Sequence, residues 1–236
     1  MFKDVLGDWP THERFILTSC DDKYFQNYFP RFYKTYAEHW QLPIHVHIID
    51  PSDTSMRRLD KLDVSYTHCT TNESVLKLSS SYATYYQAQR FILLGHNLLE
   101  GQSVIVADVD SYALGEPNQT QKHTLESDMA FTEYHGRLMA TFCNFHHSRR
   151  TNAKEAAIEM QRLIEDTDKI GVDQLVMKQI FKQLPYNNLK HGEWIRHRDV
   201  KTHADLQEHN NCLVYHEKGT RGKEKGLKIE WTDIGL

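Results

Sequence analysis

No apolar run in this 236-residue chain approaches the roughly 20 residues needed to span a bilayer. The opening stretch, Met1 to Pro10, has no long apolar core and does not read as a secretory leader. Cysteine is sparse. Cys20, Cys69, Cys143 and Cys212 lie far apart, with no C-x-x-C pair among them. The expectation is four free thiols in a reducing, cytoplasmic compartment. Internal repeats and low-complexity tracts are absent, which excludes a solenoid. A surplus of positive charge is also absent. Lys and Arg total 28 against 32 Asp and Glu, a net charge of −4 with a pI near 6.4. Such a chain has no general attraction to nucleic acid or anionic membrane. The 15 histidines are scattered, and most are expected on the surface or in hydrogen-bonded core positions.

What is present is an ordinary globular composition, 39% hydrophobic and 25% charged, in a length that fits one domain or a tight pair. Arg14 to Cys20 reads as a strand ending in Asp21-Asp22. Tyr24, Tyr28, Phe32 and Tyr36 then recur every four residues, predicting an aromatic-rich helix packed on a sheet. Pro30 is expected to kink or restart that helix. Ile44 to Ile49 is a second strand, Val64 to Thr67 a weaker one, and Tyr82 to Leu99 a helix. Val104 to Ala107 is a continuous apolar, mostly β-branched run, which suits a central strand buried on both faces. Strand-like pieces at 129–132, 140–145 and 212–215 and helical stretches at 153–165 and 173–184 complete the pattern. Alternating strands and helices predict an α/β open sheet, whose ligands sit at the carboxyl ends of its strands. Acids stand at three such ends: Asp21-Asp22, Asp50, and Asp108 with Asp110.

Asp108-Val109-Asp110 is the sharpest signal. Acids at i and i+2 leaving a strand share one side, where they repel each other unless a cation intervenes. Mg²⁺ or Mn²⁺ binds one or two protein carboxylates and fills its shell with phosphate oxygens. Such a metal makes a nucleotide diphosphate a better leaving group. Two acids in this spacing also simply cap a turn, so the triplet alone does not decide.

This stretch resembles the D-x-D motif of GT-A-type, nucleotide-sugar-dependent glycosyltransferases, in particular the glycogenin/galactosyltransferase-like group, glycosyltransferase family 8. Four islands resemble it in order: Phe15 to Asp21, Tyr82 to Phe91, Gly171 to Gln174, and His216 to Lys223. The last departs from the family's H-x-x-G-x-x-K ending by one extra residue before Lys223, and Glu224-Lys225 replace its Pro-Trp. The resemblance implies a Rossmann-like GT-A fold, with a mixed central sheet flanked by helices. It implies one domain over residues 1–236, with a nucleotide-binding half over about 10–115 and an acceptor or closing half over about 116–236. The implied activity is sugar transfer from a nucleotide diphosphate sugar, a UDP-sugar by the family likeness, to an acceptor hydroxyl with retention.

Carried over, Asp108 and Asp110 bind the metal and His216 is a third ligand. Imidazole favours Mn²⁺ over Mg²⁺. Thr18, Ser19, Asp21 and Asp108 would contact the nucleoside. Gly219 and Lys223 would meet the diphosphate, Lys223 as a point charge. Arg90 would hold the D-x-D carboxylates or the donor sugar in place, and Asp173 or Gln174 would stand at the donor sugar's hydroxyls or the reactive face. Read from the residues alone, each has a plainer alternative: a strand end, a solvated basic tail, a helix-surface arginine, an acid at a helix N-terminus. Asn144 could face the acceptor, and the His146-His147/Arg149-Arg150 cluster could meet an anionic one. Two rival functions remain on this reading: a haloacid-dehalogenase-type Mg²⁺ phosphatase, and a non-catalytic GT-A-like binding module.

Overall fold

The computed structural model describes residues 5–71, 81–166, 171–190, 193–196, 212–216 and 227–236. In chain order the elements are β1 (Leu6–Gly7), β2 (Arg14–Asp21), α1 (Asp22–Trp40), β3 (Ile44–Ile49), α2 (Asp53–Leu59), β4 (Ser65–Cys69) and α3 (Ser81–Asn97). They continue with β5 (Ser103–Ala107), β6 (Ser111–Ala113), α4 (Gln119–Leu125), β7 (Met129–Tyr134), β8 (Arg137–His146), α5 (Arg150–Asp166) and α6 (Val172–Ile180). The short strands β9 (Asn187–Asn188), β10 (Ile195–Arg196) and β11 (Val214–His216) follow, with a closing 3₁₀ turn at Trp231–Ile234.

Eight strands form the central sheet in the order β1-β4-β3-β2-β5-β8-β7-β9. Strands β4, β3, β2 and β5 run parallel, while β8 is antiparallel to β5. The expected mixed sheet flanked by helices is what the chain forms. Residues of both parities on β2, β3 and β5 are buried, because helices cover both faces. Phe15, Leu17, Val104 and Val106 face the side of α3, α5 and α6. Ile16, Val46, Ile48, Ile105 and Ala107 face the aromatic residues of α1. A second sheet of three strands, β10-β11-β6, adjoins the carboxyl end of β5. Among the described residues no helix is long and apolar enough to cross a membrane.

The aromatic stripe packs as expected, with Tyr28, Phe32 and Tyr36 buried. The helix does not restart at Pro30, since α1 runs from Asp22 through Trp40. The carbonyl of Gln26, which Pro30 cannot serve, instead accepts from Trp231 Nε1 at 2.9 Å. All four cysteines are buried and free.

Candidate metal centre at the end of β5

The backbone leaves β5 at Asp108, whose N–H donates to Thr141 O of β8 at 2.9 Å. The chain then turns. Ser111 N and Ser111 Oγ both donate to Asp108 O, at 3.0 and 2.6 Å. Strand β6 follows at once and pairs antiparallel with β11, setting His216 opposite Ser111. That pairing is what carries His216 to the acids. Its Nε2 lies 3.1 Å from Asp108 Oδ2 and 3.1 Å from Asp110 Oδ1.

One ligand atom from each of Asp108, Asp110 and His216 lies within 4.8 Å of the others. Their side chains are 18%, 14% and 6% exposed, so the group is largely desolvated yet reachable from outside. Burial alone pushes the His216 imidazole down, but the Asp110 charge and the bonds to both carboxylates overturn this and bring it up to about 10. Without a cation, His216 is protonated and supplies positive charge between the two carboxylates; to act as a ligand it must give up its Nε2 proton to the incoming ion. Two carboxylates and one borderline nitrogen are a donor set that fits Mn²⁺, with Mg²⁺ a harder alternative.

Arg90 reaches the same point from α3. Its Nη2 lies 2.6 Å from Asp108 Oδ1, donates to Ala140 O at 3.2 Å, and sits 3.9 Å from Asp173 Oδ2. Asp173 is buried at the start of α6, and burial raises its pKa while Arg90 opposes the rise. Gln174, next to it, is spent on backbone. In the orientation that satisfies both amide atoms, it donates to Leu138 O at 2.6 Å and accepts from Ala140 N at 3.0 Å. This props β8 beside the slip in the β7–β8 ladder between Phe131 and Thr132.

Thr18 and Ser19 are buried near the carboxyl end of β2, and their hydroxyls have no hydrogen-bond partner among the described residues. Asp21 caps α1, accepting from Tyr24 N at 2.7 Å. Gly219 and Lys223 lie outside the described residues. Asn144 does not face an acceptor. It is fully buried, with its amide bonded to Ser103 Oγ and Ser127 O. The His146-His147/Arg149 cluster lies at the opposite edge of the sheet, where His146 pairs with Ser103 at the start of β5 and Arg149 meets Asp128 at 3.4 Å.

Sequence reasoning missed the α1 side chains behind the metal turn. Arg31 Nη2 donates to Asp110 O at 3.3 Å, Thr35 Oγ1 accepts from Ala113 N at 3.1 Å, and Tyr36 Oη lies 3.2 Å from Ser111 Oγ. For Arg31 and Thr35 the only signal was a polar residue inside an aromatic stripe, and Tyr36 belongs to the stripe itself.

No family model matches this sequence, and no curated protein matches it. Among solved structures, the apo WbbM bifunctional glycosyltransferase is similar, with a TM-score of 0.60 over 90% of this chain at 13% identity. The chain spans 47% of that protein's length, about half. The likeness is one of fold. This is an α/β chain with a Rossmann-like glycosyltransferase fold, carrying at its carboxyl edge a group of residues able to hold a divalent cation.

Proposed function

We propose that the chain is a metal-dependent GT-A glycosyltransferase of the family-8 type. It takes a nucleotide diphosphate sugar, a UDP-sugar, and moves the sugar to an acceptor hydroxyl with retention. The observation that carries this reading is the convergence of Asp108, Asp110 and His216 outside a central parallel strand. Ligands of open α/β sheets bind at that edge.

Asp108, Asp110 and His216 would hold the cation, Mn²⁺ or Mg²⁺. A divalent cation there neutralises charge developing on the leaving diphosphate. Arg90 fixes Asp108 by a buried ion pair and keeps Asp173 beside the same point. Asp173 is assigned to the donor sugar's hydroxyls. Gln174 keeps the β8 wall under it in place. Thr18 and Ser19, whose hydroxyls meet no partner among the described residues, and Asp21 are assigned to the uridine. Gly219 and Lys223 are assigned to the diphosphate by the family likeness. Residues of about 10–115 would bind the donor and about 116–236 would form the acceptor side, for an acceptor that is a glycan, a protein or a small molecule.

Calorimetry with UDP tests this. Binding of UDP should require Mn²⁺, and Asp110→Asn should lower UDP affinity in Mn²⁺ at least about tenfold while the protein stays folded. Equal affinity in that variant refutes the metal assignment.

A further inference from the structure

We propose that Arg31 of α1 is a positioning residue for the cation, holding the Asp108–Asp110 turn in ligand geometry from behind. This rests on the cation site proposed above and goes beyond it to a residue that does not touch the cation.

Arg31 is buried, on a helix whose buried face is mostly aromatic. Its guanidinium stacks 4.5 Å from the centroid of the Tyr112 ring, with Tyr28 at 5.7 Å. Two of its donors go to backbone carbonyls. Nη2 donates to Asp110 O at 3.3 Å and Nη1 to Leu227 O at 3.0 Å. Leu227 is held a second time, its N–H donating to Tyr112 Oη at 3.4 Å. Arg31 therefore ties one ligand residue to a segment remote in sequence. A flat fork that bridges two carbonyls and stacks on a ring is work for Arg; Lys offers one mobile point.

Further along α1 the same turn is gripped again. Tyr36 Oη meets Ser111 Oγ, which donates to Asp108 O. The carbonyls of both acidic ligands are thus held through α1. Fixing the peptide planes at 108 and 110 fixes the directions in which their carboxylates leave the backbone. Carboxylates held together before an ion arrives spare it the cost of ordering them, and loss of such outer contacts typically weakens a metal about 10- to 100-fold.

Charge alone predicts the reverse. Arg31 is itself a cation near the site, so its removal should strengthen the binding of another cation. The two effects have opposite signs, which makes the test decisive.

The experiment titrates Mn²⁺ alone and follows free and bound ion by electron paramagnetic resonance, in parent, Arg31→Met, Arg31→Lys and Tyr36→Phe, with Asp110→Asn as control. Melting temperature reports the fold. We expect Arg31→Met and Arg31→Lys to bind about 10- to 100-fold more weakly, with an altered bound-ion spectrum. Tyr36→Phe should move the same way. Parental or tighter affinity in Arg31→Met overturns the inference, as does a lowered melting temperature with unchanged affinity and spectrum. If Arg31→Met does not fold, Arg31→Lys decides, and parental affinity there overturns it. If the parent binds no Mn²⁺, or Asp110→Asn binds it like the parent, the cation site itself is refuted and this inference with it.

Discussion

Pro30 has no N–H, so the carbonyl of Gln26, one turn earlier in α1, lacks its helical donor. Trp231 fills the gap with its indole N–H, and its ring packs against Phe25 and Phe29 with Arg58 on the other side. A half-buried carbonyl left unpaired costs on the order of 1–3 kcal/mol. Trp231→Phe should therefore destabilise the protein by about 2 kcal/mol, beyond a small packing loss. In a Pro30→Ala background the backbone amide returns and the same change should cost clearly less. A double-mutant cycle in urea reads the coupling, and strictly additive costs would contradict it. Residue-scale chemistry also disarms a look-alike. Cys69 Sγ lies 3.3 Å from His47 Nε2, the spacing of a thiol–imidazole pair. Burial pushes the Cys69 thiol up to about 11 and His47 down to about 3, so both stay neutral and the pair is a hydrogen bond, not a nucleophile.

Elements decide how closely helices approach. α3 lies against α5, where Ala153, Ala156 and Ala157 leave room. A Cβ on Gly95 would fall well inside contact distance of Ala153 O and Ala157 Cβ. Gly95→Ala should cost about 3 kcal/mol, because the clash is with backbone and with a side chain that cannot turn away. The midpoint of denaturant unfolding checks it; an unchanged midpoint would mean that α5 yields freely. The elements that can be read from sequence are those whose burial pattern is complete in themselves. Strands β2, β3 and β5 announce themselves as apolar on both faces, and α3 by its spacing. The seven-residue helices α2 and α4 are mostly polar and show only their caps, Ser52 and Asn118. β6 is three residues long and exists because β11 pairs with it, so nothing local marks it. The site divides in the same way. Asp108 and Asp110 are visible as a pattern after a strand, whereas His216 depends on that long-range pairing and enters only through family likeness. Arg31 and Thr35 look like any polar residues on a helix until the turn they hold is seen.

Over the whole molecule, acid should act through the buried polar seam between β3 and β4. His45 bonds Ser65 Oγ and Thr67 Oγ1, and His47 bonds Thr67 Oγ1. Burial lowers both from the ordinary 6.5 to about 3. Below pH 6.5 the unfolded chain takes up protons that the folded chain refuses. Whereas the raised His216 contributes fully below 6.5 and loses its share as pH rises toward 10, the contribution of His45 and His47 is therefore full above 6.5 and drains as pH falls toward 3. Each pH unit in that window removes about 1.4 kcal/mol per histidine. Urea unfolding at about pH 7 and pH 5 should differ by several kcal/mol, and His47→Gln should flatten the slope by about half. A pH-independent midpoint in the parent would show that these imidazoles are protonated in the fold.

The central sheet is not built in chain order around its acidic edge. Asp108 and Asp110 follow β5, Arg31 comes from α1, well before them, and His216 from β11, well after them. During synthesis on a ribosome the two acids therefore leave the exit tunnel long before their imidazole partner, and the three cannot meet until the chain through β11 has emerged. Loading of an ion here would report that β11 has found its place against β6.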